Sequence, residues 1–478
     1  RVRRLEGSAV SDFIPRGEDG HVHQKLWVWS PETIDDIQTK AELGRYTNRG
    51  LGTTRRTPHF QDLTFVPCTL SRVPLEGYRE ACDTSVEIGA RHGARPIRLA
   101  TPITIAGMSY GALSRNAKQA LGTAATRVGI STTTGDGGML DLEREASDQL
   151  VYQVLPSRYG FNPHHLRMAN AAEIVIGQGA KPGTGGVLLG AKVSPIIAEA
   201  RTLPPGVDQR SPCRHPDFVG PDDLQIKIEE LREATDGAIP IYIKIGACRV
   251  ADDVKLACKA GADVIVMDGL EGGTGASPDS LMDHTGIPTM AALVEAVAAL
   301  REMELEGVVN LIISGGIRNG VDAAKALALG ADAVSIGTAA MIALGCNKPV
   351  YVEDYERMGT EPGACHHCHT GLCPVGITTQ DEDLIARLPV DQAADRVTGF
   401  LNSMTQEMQM FARACGKNDV HDLEPEDMRA MTIEASAITG IPLVGTDFAF
   451  RPESFADAIM RAMTAQTTNG HSDQKVHR

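Results

Sequence analysis

The sequence predicts an α/β protein centred on a (β/α)8 barrel, carried between an N-terminal extension and a C-terminal helical segment. Three observations predict it. From about residue 95 to 345, short apolar runs alternate with turns and amphipathic helical stretches. Six of the apolar runs end in glycine-rich polar segments: "AGMSYGALS", "STTTGDGGM", "GQGAKPGTGG", "MDGLEGGTGAS", "ISGGI" and "IGTAA". Small residues are abundant, with 49 glycines and stretches such as "DAAKALALGADAVSIGTAAMIALG", which suit helices packed closely on parallel strands. Alternation alone fits an open sheet as well as a barrel. Glycine at strand ends favours the barrel, because barrel enzymes gather their active sites at the carboxyl ends of the strands and glycine lets backbone approach a ligand.

In chain order, residues 1–90 form a mixed extension, including the turn-rich "TNRGLGTTRRTPHFQDLTF", with no repeat and no assignable chemistry. The barrel is expected over 91–345. Its clearest unit starts at Asp222: Leu224, Ile228 and Leu231 share a helical face, Gly237 can stop the helix, and "IPIYIKIGA" follows as a buried strand. "VADDVKLACKAGADVIVMDG" repeats the scheme. "TMAALVEAVAALREMELEG" then supplies a helix with Met290, Leu293, Val297 and Leu300 on one side, followed by the strand "VVNLIISGG". "NGVDAAKALALG" leads into "ADAVSIGTAA" in the same way. Residues 346–385 form a cysteine-rich loop, and 386–478 a helical segment in which "QAADRVTGFLNSMTQEMQMFARACG" ends at Gly416; the tail "TTNGHSDQKVHR" is expected to be disordered.

Composition excludes some roles. A formal charge of −15 disfavours a nucleic-acid surface, and the basic "RVRR" opening is too short to reverse this. No run of 18 apolar residues and no secretory apolar stretch is present, so a cytoplasmic protein without a membrane span is expected. Most of the ten cysteines are isolated and read as small buried hydrophobes. "GACHHCHTGLCPVG" is different, with three cysteines and three histidines in eleven positions.

The last two strand ends suggest a phosphate site, since loops after strands seven and eight of many barrels hold phosphate on backbone N–H groups. Ser314, Gly315 and Gly316, with Gly337 and Thr338, suit that role. Thiolates are soft ligands suited to iron–sulfur clusters, and Cys365-x2-Cys368-x4-Cys373 has the required density. Spacing alone also permits zinc on these cysteines with His366, His367 or His369.

At "DGLEGGTGASP", "GTAAMIALGC" and "CHTGLCPVGITTQD", the sequence resembles the FMN-binding synthase domain of the glutamate synthase family, over roughly residues 90 to 415. The resemblance implies a TIM barrel with FMN at its mouth, a neighbouring iron–sulfur cluster, and hydride transfer between flavin and an imine or amine carbon. It places Gly107, Met108, Ser109, Tyr110 and Gly111 against the flavin, with Gly272, Gly273 and Thr274 of the "EGGTG" motif and Lys244 as further cofactor residues. Lys181 and Arg201 match positions that hold a dicarboxylate substrate, and Asp136 stands for a longer carboxylate of the family. Cys346, Cys368 and Cys373 match the ligands of a three-iron cluster. An insertion, "NKPVYVEDYERMGTEPGA", brings the extra Cys365, so that the local trio, or all four cysteines around a four-iron cluster, are alternatives.

Departures from the family pattern refine the expected activity. Thr184 replaces an acid, Val187 an amide, and Val175 a lysine, which makes the pocket less polar. With Arg at position 1 and no recognisable amidotransferase or β-helical region, the resemblance implies the FMN subunit of a split hetero-oligomer. Its partners would be a glutamine amidotransferase-like subunit and a Gly-rich β-helical subunit, with ferredoxin or another electron donor. The preferred activity is N-methylglutamate synthesis from methylamine and glutamate. The alternatives are glutamate synthesis from 2-oxoglutarate and ammonia supplied by a partner, a different FMN barrel, and a catalytically silent assembly subunit.

Overall fold

The computed structural model describes residues 28–447 and 449. The expected disordered tail and the "RVRR" opening lie outside the described residues. Eight strands form one parallel sheet: β1 (Ile103–Ile105), β2 (Thr132–Thr133), β3 (Leu150–Val154), β4 (Ala171–Val175), β5 (Ile241–Gly246), β6 (Val264–Asp268), β7 (Asn310–Ser314) and β8 (Ala333–Ile336). Each pairs with its sequence neighbour from β2 through β8, and β8 pairs with β1. The ring closes between β1 and the entry to β2, where the Ile105 N–H donates to the Ser131 carbonyl at 2.9 Å beside a parallel Thr104–Ser131 bridge. The predicted barrel is therefore formed, and the six glycine-rich segments leave the carboxyl ends of β1, β2, β4, β6, β7 and β8.

These runs become strands because they are short, apolar and rich in β-branched residues, and both faces are covered. Ile241, Ile243, Ile265 and Ile313 are fully buried. Helices α1 (Arg115–Val128), α2 (Asp141–Ala146), α3 (Pro163–Met168), α4 (Pro195–Arg201), α5 (Pro221–Ala234), α6 (Val250–Lys259), α7 (Thr289–Glu302), α8 (Gly320–Ala328) and α9 (Thr338–Leu344) connect or follow them. The Ser114 hydroxyl caps α1 by accepting from the Ala117 N–H, and Asn319 caps α8 through the Asp322 N–H. The α7 helix stops at Glu302, and Glu304 turns the chain at φ 58°.

A long helix, α10 (Val390–Ala414), completes the outer wall against α1, α8 and α9. Its buried residues Ala393, Val397, Leu401, Met404 and Met408 recur every three or four positions, the stripe that a helix needs to lie on a core. At the opposite end of the barrel from the glycine segments, the antiparallel pair Val86–Ile88 and Ile97–Leu99 closes the floor; the Gly89 N–H reaches Asn310 Oδ1 at 2.8 Å. The extension also reaches the mouth, where strand Asn48–Leu51 pairs antiparallel with Thr274–Pro278. Among the described residues no helix is long and apolar enough to cross a membrane.

One buried ion pair holds the first two strand-end loops. Lys118, on α1, meets Glu143 Oε1 at 2.5 Å, and its Nζ donates to the carbonyls of Met108 at 2.7 Å and Thr134 at 2.8 Å. Burial pushes the Glu143 carboxyl upward and the Lys118 charge opposes that shift. Lys118→Met should cost about 3–5 kcal/mol, because it leaves an uncompensated buried carboxylate. Urea unfolding would register this as a lowered midpoint, partly restored by adding Glu143→Gln; an unchanged midpoint would refute the assignment.

Candidate active site

The mouth of the barrel opens into a cavity of about 560 Å³. Its wall draws on the ends of all eight strands, as parallel closure requires. Gly107, Met108, Ser109, Asp136, Lys181, Arg201, Lys244, Gly272, Gly273, Thr274, Ser314, Gly315, Gly316, Gly337 and Thr338 all line it. Tyr110 and Gly111 lie behind this wall: Tyr110 is buried among Leu188, Val193, Ile197 and Ala198, and a β-carbon on Gly111 would meet Leu188 at 3.0 Å.

On the side of β7 and β8, the amides of Gly315, Gly316, Gly337 and Thr338 meet no acceptor among the described residues. Glycine is needed at 315, where φ is 111° and a β-carbon would lie 2.6 Å from Thr289 Oγ1. Four free amides on adjoining loops can receive a phosphate.

Opposite lie the charged residues. The Lys244 ammonium sits 3.6 Å from Asp268 Oδ2. Burial pushes Lys244 down, but the charges of Asp268 and Glu173 prevail and raise it. Lys181 has no carboxylate in ion-pair contact among the described residues; its Nζ donates to Thr274 Oγ1 at 2.9 Å and the Ala276 carbonyl at 3.1 Å. Burial lowers it to about 8, against the attraction of Asp136. Asp136 is fixed by the hydroxyls of Ser157 and Ser211, each at 2.6 Å. Arg201 is 3% exposed, and its guanidinium is largely occupied by the protein. Nη2 donates to Ser109 Oγ and to the carbonyls of Tyr110 and Asp136 at 2.8–3.1 Å, and Nη1 to Gln209 Oε1 at 3.1 Å, leaving Nε without a partner.

Next to the cavity, the structure brings Cys346, at the end of α9, together with Cys365, Cys368 and Cys373, whose charges all act on its thiol. Burial, then these neighbours, push Cys346 up to about 12; Cys368 is pushed up to about 11 by burial, then by Cys373. Cys368 also lines the cavity. Asn347 joins the two arms of the site: its Nδ2 reaches Cys346 Sγ at 3.5 Å and the Cys365 carbonyl at 3.1 Å, and its Oδ1 accepts from the Cys365 N–H at 2.9 Å. Among the described residues no three His, Cys, Asp or Glu side chains converge on a single metal ion.

Several lining or supporting residues carry no sequence signal of their own. Gln153 donates to Glu173 Oε1 at 2.5 Å beneath Gly107, where a β-carbon would strike the Gln153 amide. Gly52 and Thr53 bring the extension to the rim, and Arg318, Arg396 and Phe400 add to the wall. Lys192, 2% exposed, donates to the Ala112 carbonyl at 2.8 Å and the Cys368 carbonyl at 3.0 Å, and so ties the loop after β1 to the cysteine loop. Burial lowers it to about 8 against the pull of Cys368 and Cys373.

Residues 61–418 match the family described as the conserved region in glutamate synthase. The glutamate synthase large subunit-like protein of Rhizobium meliloti (strain 1021) is 56% identical over 416 residues, covering 87% of this chain and 94% of that protein. An archaeal-type glutamate synthase [NADPH] of Dehalococcoides mccartyi is 35% identical, covering 86% of this chain and 82% of its own length. A ferredoxin-dependent glutamate synthase of Cyanidium caldarium is 34% identical over 65% of this chain, which corresponds to 20% of that longer protein.

Arg201→Leu should strip two loop carbonyls of their donor, at about 1–3 kcal/mol for each left unsatisfied. Hydrogen exchange should then speed up at 108–111 and 135–138. Unchanged exchange there would show that the guanidinium does not pin these loops.

Proposed function

Because this chain belongs to the glutamate synthase family, we propose that it is the FMN- and iron–sulfur-bearing synthase subunit of a split enzyme that moves hydride between flavin and the imine or amine carbon of a dicarboxylate. The observation that carries this reading is a charge imbalance at the mouth. Lys181 and Lys192 are both buried, and neither has a carboxylate in ion-pair contact among the described residues. A buried cation without a counter-charge is costly, so the two sites call for anionic ligands.

The residues fit both groups. The free amides at 315, 316, 337 and 338 are donors for a phosphoryl group, and Gly107, Gly272 and Gly273 leave the wall bare for a planar ring. Cys346, Cys368 and Cys373, with Cys365 as a fourth sulfur, supply thiolates beside Lys192, which offsets their negative charge. A cluster spreads its ligands over several irons and does not require three side chains to meet at one ion. A three-iron cluster on Cys346, Cys368 and Cys373 is the reading adopted.

FMN, when bound, supplies the hydride chemistry. Lys244, kept charged by Asp268 and Glu173, favours negative charge developing in the cavity. Lys181 holds a substrate carboxylate, and Asp136, oriented by two serine hydroxyls, accepts a hydrogen bond from the substrate nitrogen. Val175 and Val187 line the same cavity, and this apolar wall favours a methyl-bearing nitrogen and hence N-methylglutamate synthesis. Amidotransferase-like and β-helical subunits, with ferredoxin or another electron donor, complete the proposed assembly.

The reconstituted complex, given glutamate and methylamine, should form N-methylglutamate. Glutamate formation from 2-oxoglutarate and glutamine, with no use of methylamine, would overturn the choice of amine. Iron and sulfide should be present with a broad visible absorption that Cys368→Ala abolishes; full iron retention in that variant would exclude Cys368 as a ligand.

Lys181 gives a pH dependence with a defined sign. Its folded value is lowered to about 8, so the cation is present below that pH and is lost above it. Binding of 2-oxoglutarate should weaken as pH rises through about 8. Lys181→Met should flatten that profile and weaken binding by about 1.5–3 kcal/mol, the contribution of a charge-assisted hydrogen bond. A profile unchanged by the substitution would remove Lys181 from the carboxylate site.

A further inference from the structure

The insertion at 347–364 does more than separate Cys346 from the other cysteines. Its short helix, Val352–Arg357, carries Tyr355, which is 1% exposed and whose hydroxyl has no hydrogen-bond partner. Buried polar groups without partners are rare, and each calls for an explanation such as a group that completes the site. The ring packs into the core against which Cys346, Cys365 and Cys373 also lie. A phenol keeps its proton at neutral pH, so the hydroxyl is a donor.

The helix is anchored in place. Arg387 meets Asp354 at 2.6 Å, donates to the Pro374 carbonyl at 3.0 Å, and stacks its guanidinium 4.3 Å from the Tyr351 ring centroid. Pro374 follows Cys373 directly, so the same arginine fixes both the tyrosine helix and the cysteine loop. Lys192 approaches from the side of Cys368, whose carbonyl it bonds, whereas Arg387 ties the helix of Tyr355 to the Cys373 side of the loop.

We infer that the Tyr355 hydroxyl donates a hydrogen bond to a thiolate or sulfide of the iron–sulfur cluster and thereby raises its reduction potential. The inference rests on the iron–sulfur reading of the cysteine loop. A donor stabilises the more negatively charged, reduced cluster, and hydrogen bonds to sulfur are among the factors that set cluster potentials. The insertion thus supplies a tuning residue for electron transfer to the flavin, with the aromatic ring filling space and the hydroxyl acting on the metal.

The test is Tyr355→Phe in the full chain, with iron and flavin content and the cluster midpoint potential measured by spectroelectrochemistry. The expected result is unchanged iron and flavin with a midpoint shifted to more negative values. An unchanged midpoint at full iron content would overturn the inference and leave the iron–sulfur reading intact. Wild-type protein without iron or sulfide would overturn both. If the variant sheds iron, wild-type protein labelled with 3-fluorotyrosine decides: fluorine coupling to the paramagnetic cluster supports contact, and its absence overturns the proposal.

Discussion

Charge balance in a dry barrel mouth is the constraint on which the site depends. Four lysines are buried there, Lys118, Lys181, Lys192 and Lys244, and the protein treats them in two ways. Lys118 and Lys244 have carboxylates, Glu143 and Asp268, and serve as parts of the framework. Lys181 and Lys192 have only carbonyls and one hydroxyl, and burial lowers both to about 8. Desolvating an ammonium without an opposing charge opposes folding, so a fold that keeps two such groups gains from whatever anions complete them. The unpaired lysines are therefore the two points around which the proposed ligands are placed, one over the barrel and one beside the cysteines.

Parallel closure explains why these places are neighbours. Every strand delivers its carboxyl end to the same rim, so residues as distant in sequence as Ser109, Asp136, Lys181 and Gly315 meet without any local signal linking them. Lys192 carries this one step further. By donating to Ala112 and to Cys368 it fixes the loop after β1 relative to the cysteine loop, so that one side chain sets the spacing between the two candidate cofactor sites.

Much of this was legible in the sequence, and what escaped did so for a physical reason. Glycine at 315 and 316 was readable because a backbone that must approach a ligand tolerates little else there. The strand cores were readable because a parallel sheet is apolar on both faces. The floor hairpin, the rim strand at 48–51 and the Gln153–Glu173 pair were not, since each is defined by a partner far away in sequence. Tyr355 illustrates the same limit: in "YVEDYERMG" it is an ordinary helical tyrosine, and only folding buries its hydroxyl without a partner. Arg201 shows the converse, because its position suggests a free cation while its guanidinium proves largely spent on Ser109, Tyr110, Asp136 and Gln209.

That distribution of cations bears on which nitrogen the cavity accepts. Val175 stands directly beside Lys244 in the β4–β5 register, at a position where the family resemblance leads one to expect another lysine. A lysine there would add a third positive charge to the wall formed by Lys181 and Lys244, and an amine substrate in its ammonium form would be repelled by all three. Valine removes one of those charges and puts methyl groups in its place. For the N-methylglutamate proposed above, valine would mean weaker repulsion of the ammonium charge and apolar contact for the methyl group. Free ammonia, uncharged and without a methyl group, gains on neither. With Arg201 occupied, the cation of this wall that has no ion-pair partner among the described residues is Lys181.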